Sequence, residues 1–186
     1  MNYLTRNEAV EFLHDHIKAE NMLKHSFASE AVLRAIARHL NEDMNEWGIA
    51  GLLHDIDVEI TKADPKIHGP YAEKLLKGKI SDLALDAIVM HNEIATGKVR
   101  TTKFQHALAA GETITGLITA TTLVYPDKKI ASVKTTSVTK RMNQLAFAAS
   151  VKRENILECE KIGIPLPVFA ELAVNAMNEI SDILGL

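Results

Sequence analysis

Cysteine appears once in the 186 residues, as Cys159, so no disulfide can form within the chain, and a lone thiol suits a reducing compartment. No apolar run approaches the roughly 20 residues that a membrane-spanning helix needs. The stretch Met1 to Ile17 mixes acidic residues and histidines with apolar ones, so it lacks the apolar centre of a signal peptide. The expectation is a soluble, cytoplasmic protein with no membrane partner. Aromatic residues make up 5% of the chain and hydrophobic residues 47%, so the core must be aliphatic. A basic excess is missing too. The formal net charge is −3, so the chain lacks the signature of a protein that holds long nucleic acid.

The charge that is present is unevenly spread. Seven basic residues (Lys128, Lys129, Lys134, Lys140, Arg141, Lys152 and Arg153) fall in one segment that has no acidic residue. The rest of the chain carries 14 basic against 24 acidic residues. Such a segment is either a solvated face or the complement of an anionic substrate.

Apolar spacing at three and four residues predicts helix nearly everywhere. Thr5-Arg6-Asn7-Glu8 is a capping-box pattern opening the first helix. A second helix is expected from about Asn21 to Leu40, with His25 on its apolar stripe, and a third from near Asn45 to His54-Asp55. His68-Gly69-Pro70 opens a short helix that stops around Gly78. Ser81 caps Asp82 to His91. Thr101 or Thr102, with Gln105, caps a helix to about Thr121. Tyr125-Pro126-Asp127 is a turn, and Ile130 to Thr136 a loop. Ser137 to Ala149, Arg153 to Ile162 (closed by Gly163) and Val168 to Leu184 complete the set. No repeat, low-complexity stretch or long linker divides the chain. One all-α domain spanning 1–186 is expected, with a core at about 19–120 and a C-terminal helical extension at about 137–186. The last amphipathic helix could pack on that core or on a second copy in a homo-oligomer.

The dyad His54-Asp55 follows the apolar run Gly48 to Leu53. Adjacent side chains converge on one cation only where a helix ends and the chain turns. Burying both groups without such a partner is costly. One dyad is weak evidence, since His14-Asp15 is another. It gains weight from His25 upstream, His68 and His91 downstream, and Glu112. That glutamate sits among small and apolar residues, where a carboxylate needs a partner. Gly111 beside it costs about 1 kcal/mol in a helix interior, which a close approach by another helix or a ligand would justify. His14, His16, His39 and His106 are read as satisfied core histidines. Imidazoles with carboxylates suit Zn, Fe, Mn or Ni acting as a Lewis acid.

His25, then Leu52-Leu53-His54-Asp55-Ile56-Asp57, then Ala109-Ala110-Gly111-Glu112-Thr113 resemble the H…HD…D signature of the HD-domain metal-dependent phosphohydrolases, closest to the small stand-alone HDIG-type members. The resemblance covers roughly Ala19 to Ala120 and implies an all-helical bundle with additional C-terminal helices. It also implies a divalent metal (Mn, Fe, Ni, Co, Zn or Mg) held by His25, His54, Asp55 and Glu112. His68 and His91 fall where binuclear members carry further histidines, so one or two ions per chain are implied, with Asp55 between them. The departure is Glu112, where the family pattern has aspartate.

The expected activity is hydrolysis of a phosphate mono- or diester of nucleotide type through metal-activated water. Asp55 is the expected proton acceptor, with Asp57 or Glu93 in reserve. Lys140 and Arg141 are the expected cations for the small phosphorylated substrate. The alternatives are a catalytically weak nucleotide-binding or sensing module, suggested by Glu112, and a di-iron oxygenase.

Overall fold

A computed structural model describes residues 3–186. Among them are eleven α-helical segments and no strand. Helix α1 (Arg6–His16) opens with the expected capping box, Thr5 and Glu8 satisfying each other's backbone amides. Helix α2 (Glu20–Leu40) is the axis of the bundle, packing against α3 (Met44–Leu53), α7 (Lys103–Leu123), α10 (Leu166–Glu179) and α11 (Ser181–Leu184). Its stripe Ala28, Val32, Leu33, Ile36 and Ala37 is buried. The first turn of α2 has no cap of its own. Glu59, from the turn segment after α3, accepts from the amides of Lys18 and Ala19, just before that turn, at 2.8 Å and fixes the chain where it enters the helix.

Two close approaches set the spacing of the bundle. A Cβ on Gly51 of α3 would lie 2.7 Å from the Ser29 carbonyl oxygen of α2. A Cβ on Gly111 of α7 would lie 2.5 Å from Leu33 Cδ2. The tolerance of Gly111 therefore comes from a neighbouring helix. Trp47 of α3 stacks on Phe104 of α7, ring centroids 4.6 Å apart, and the remaining core is aliphatic apart from the fully buried Phe169.

From His54 to Tyr71 the chain runs as consecutive turns, and α4 (Ala72–Leu76) starts later than expected. Gly69 there takes φ +95°, a conformation that side chains resist. Helix α5 (Asp82–Met90) is capped by Ser81, and Thr102 with Gln105 forms the capping box of α7. A short α6 (Glu93–Thr96) lies between them.

The C-terminal extension departs most from expectation. The loop after Pro126 contains a 3-10 turn at Ile130–Ser132, and α8 covers only Thr135–Arg141. Residues 142–149, expected to continue that helix, form turns. The carbonyls of Gln144, Phe147 and Ala148 accept from the Arg153 guanidinium, those of Gln144 and Ala148 also from local turn amides. The segment expected as helix from Arg153 to Ile162 is one α turn, α9 (Arg153–Ile156), followed by 3-10 helix to Ile162. Gly163 closes it in the left-handed region as expected. The last helix breaks at Ile180 into α10 and α11, and Leu184 of α11 is buried. No helix among the described residues is long and apolar enough to cross a membrane.

Candidate metal centre

Four elements deliver the predicted histidines to one place. His25 lies in the second turn of α2, one turn before Ser29, the residue that Gly51 touches. His54 caps α3 three residues beyond Gly51. The close approach of α2 to α3 thus puts His25 Nε2 3.1 Å from His54 Nε2. His68 arrives from the turn segment, and His91 caps α5. Their Nε2 atoms are also 3.1 Å apart.

Asp55 lies between the two pairs. Its Oδ2 faces His25 Nε2 at 3.6 Å and His54 Nε2 at 3.3 Å. Its Oδ1 faces His68 Nε2 at 3.1 Å and His91 Nε2 at 3.5 Å. Two ligand-capable groups result, His25–His54–Asp55 and Asp55–His68–His91, sharing one carboxylate. Glu112 Oε2 stands farther off, 3.9 Å from His25 Nε2, while its other oxygen accepts from the Thr113 hydroxyl.

The tautomers follow from the outer nitrogens. His54 Nδ1 faces the Gly51 carbonyl at 2.8 Å and His91 Nδ1 the Ile88 carbonyl at 2.6 Å, so both must donate. His25 Nδ1 lies 3.0 Å from Thr115 Oγ1, whose own proton goes to the Glu112 carbonyl, so it too donates. His68 Nδ1 donates to Asp57 at 2.8 Å. In the neutral state every Nε2 therefore carries a lone pair, and the pairs face each other and the Asp55 oxygens. Such contacts need positive charge between them.

Protonation shifts point the same way. The Asp55 carboxyl is held well below its usual range, burial opposing but His54, His68 and His91 prevailing. Burial works against charge on His68 as well, yet hydrogen bonds to Asp55 and Asp57 push it up to about 10. Burial, reinforced by His54, takes His25 down to about 4. The Glu112 carboxyl is raised, chiefly by burial. A proton can meet one of these demands. The imidazole and carboxylate donors of both groups fit a divalent ion, whose charge would answer the facing lone pairs.

Other expectations do not hold. Asp57 is fully buried behind His68, its oxygens taken by His68 Nδ1 and the Gly69 amide, each at 2.8 Å. It orients a histidine and has no free oxygen to act as a base. Glu93 turns toward Arg100, accepting from its amide at 2.8 Å, and does not line the cavity. Lys140 and Arg141 are also outside the cavity lining: Lys140 is exposed on α8, and the Arg141 guanidinium lies over the Phe147 ring at 4.6 Å. Of the histidines read as core residues only His106 is one, bonded to Glu158 at 2.8 Å. His14 and His39 are exposed, and His16 is half-buried.

The cavity over the centre measures about 360 Å³. Besides His25, Asp55, His68, His91 and Glu112, it is walled by Asn92, Thr113, Ser150, Val151, Lys152 and Asn155 among others. Sequence reading missed this polar wall and the hydroxyls behind the ligands. A signal was present for Thr115. A threonine three residues after a buried glutamate, inside an apolar helix, must find a partner for its hydroxyl.

No curated protein and no solved structure matches this chain. The HD domain family does match, over residues 22–126, more than half of the 186 and enclosing every residue of both candidate ligand groups and Glu112. On that match, and with the histidine–aspartate pair where the signature places it, the chain belongs to the HD domain family.

Proposed function

We propose that this protein is a metal-dependent phosphohydrolase acting on a phosphate mono- or diester. The family consists mostly of metal-dependent hydrolases. The observation that carries the reading is the convergence of four imidazole Nε2 atoms on the two oxygens of Asp55. His25, His54, Asp55 and Glu112 would hold one divalent ion, and Asp55, His68 and His91 a second. Ions bound there supply Lewis acidity, lowering the pKa of bound water and offsetting charge on the phosphoryl oxygens.

The chain's own residues then have separable tasks. Asp55 gives one oxygen to each side and so fixes the distance between the two halves. Asp57 holds His68 in the tautomer whose Nε2 faces the site, while the Gly51 and Ile88 carbonyls do the same for His54 and His91. Thr113 and Thr115 orient Glu112 and His25. Asn155, Ser150 and Lys152 present amide, hydroxyl and ammonium groups to the substrate, while the Asn92 amide is spent on the Pro65 and His68 carbonyls and the Ile94 amide. No Phe, Tyr or Trp lines this cavity, so a nucleoside substrate would be held by the edges of its base and by its sugar.

Metal analysis of the purified protein, followed by a panel of phosphate mono- and diesters with Mn, Co, Ni and Mg, tests this. Near two ions per chain and turnover of at least one ester are expected. A metal-loaded protein inert toward the whole panel would overturn the reading.

A further inference from the structure

The ligands all come from family-matched residues, but the opposite wall of the cavity does not. Ser150, Val151, Lys152 and Asn155 lie beyond residue 126. This segment is docked on α7 at both sides of Glu112. A Cβ on Gly116, one turn after Glu112, would lie 3.2 Å from Val151 Cγ2. Asn155 Nδ2 reaches Thr113 Oγ1 at 3.4 Å.

Residues 142–150 form isolated turns rather than a helix, with the Phe147 amide on the Gln144 carbonyl and the Val151 amide on the Ala148 carbonyl, and Ala148 takes φ +47°. A buried arginine ties these turns together. Arg153 Nη1 donates to the carbonyls of Ala148 at 3.0 Å and Val151 at 2.7 Å, and Nη2 to those of Gln144 at 3.4 Å and Phe147. No carboxylate pairs with it among the described residues. Arg141 covers the Phe147 ring from outside. Lys152, next to this post, is exposed at the cavity, forms no ion pair among the described residues, and is the one Lys or Arg in the lining.

We infer that Lys152 binds the anionic group of the substrate and that Arg153 is a positioning residue, fixing the 142–151 loop that presents Lys152 to the metal centre. The inference rests on the phosphate-ester reading above for the nature of the anion. A charge-assisted hydrogen bond to a phosphate corresponds to about tenfold or more in affinity. An arginine fork holding four carbonyls cannot be replaced by a lysine, which has a point charge and three donors.

The probe is inorganic phosphate, titrated calorimetrically into the full-length, Mn-loaded protein. Lys152→Ala should weaken binding about tenfold or more with metal content unchanged, Lys152→Arg should retain most of it, and Lys140→Ala should match wild type. Arg153→Lys and Arg153→Met should speed amide hydrogen exchange across 142–151 and weaken phosphate binding, again with metal retained. The two substitutions keep the test decisive if one of them misfolds. Wild-type affinity in Lys152→Ala, or no phosphate binding by wild type, overturns the role of Lys152. Unchanged loop exchange in a folded Arg153 variant overturns the role of Arg153. Phosphate binding that depends on Lys152 without turnover of any ester would leave this inference standing and remove the hydrolase reading. Turnover with an unchanged KM in Lys152→Ala would do the reverse.

Discussion

Asp55 and Asp57 are two residues apart and chemically alike, and their surroundings give them different work. Asp55 offers each oxygen to a pair of histidines, so Asp55→Ala should eliminate metal binding at both groups, read as metal content after desalting. Asp57 touches only His68 and the Gly69 amide. Loss of such an outer partner costs about 10–100-fold in metal affinity, so Asp57→Asn should weaken binding by that amount without abolishing it. His91→Ala should take the stoichiometry from near two to near one, leaving His25 and His54 in service. Glu112→Asp is informative because α7 already sits at closest approach to α2 through Gly111. The backbone cannot advance to compensate for a shorter side chain. Metal affinity should fall with the circular dichroism unchanged, and equal or tighter binding would show that glutamate is not adapted to its place.

The helix-to-helix spacing depends on two glycines that differ in what faces them. Alanine at either position gains about 1 kcal/mol in helix propensity, and overpacking costs about 1–3 kcal/mol. At Gly111 the obstacle is the end of the Leu33 side chain. At Gly51 it is the Ser29 backbone, which cannot rotate away. Gly51→Ala should therefore lower the melting temperature more than Gly111→Ala. It should also weaken metal binding, since it separates His25 from His54. A thermal melt with parallel metal titration checks both. Helix starts were legible at this scale because Thr5, Ser81 and Thr102 satisfy local amides. The end of α8 was not, because what stops the helix is a guanidinium twelve residues on from Arg141, reaching back for the carbonyls.

Across the whole molecule, a buried ionic network ties the extension to the family core. Arg100 makes two 2.8 Å bonds to Glu158, and it also reaches the carbonyls of Met90 and His91 and the Asn155 side chain. His106 of α7 bonds Glu158 too. Burial raises the Glu158 carboxyl, but Arg100 and His106 outweigh it and the net shift is downward from 4.5. A carboxylate whose folded pKa is depressed stabilises the fold fully above its unfolded value and loses that contribution as pH falls through the folded one. Stability should thus decline below about pH 4.5, and Glu158→Gln should flatten that part of the curve. Its cost at neutral pH should be about 3 kcal/mol, the low end for breaking a buried pair, since Arg100 would keep only the more exposed Glu93, at 3.5 Å, as a partner charge. Urea unfolding across pH 3 to 7 measures both.

Periodicity, caps and a few chemically costly residues were enough to read an all-α chain, and the resemblance to the HD signature was needed to join His25, His54, Asp55, His68, His91 and Glu112 into one ligand set. Each of those signals is local, or sits where an apolar stripe makes a polar group expensive. Which carboxylate meets which histidine was decided only in three dimensions. Asp57 and Glu93 look as available as Asp55 in the sequence, yet one is spent on His68 and the other on Arg100. The basic segment likewise showed that cations lay in that stretch, without showing which of them faces the cavity. Lys152 lies there and Lys140 does not, because Arg153 gathers the intervening carbonyls and folds the chain onto α7. A contact of that kind joins backbone groups to a side chain across a loop, and it leaves no period in the sequence.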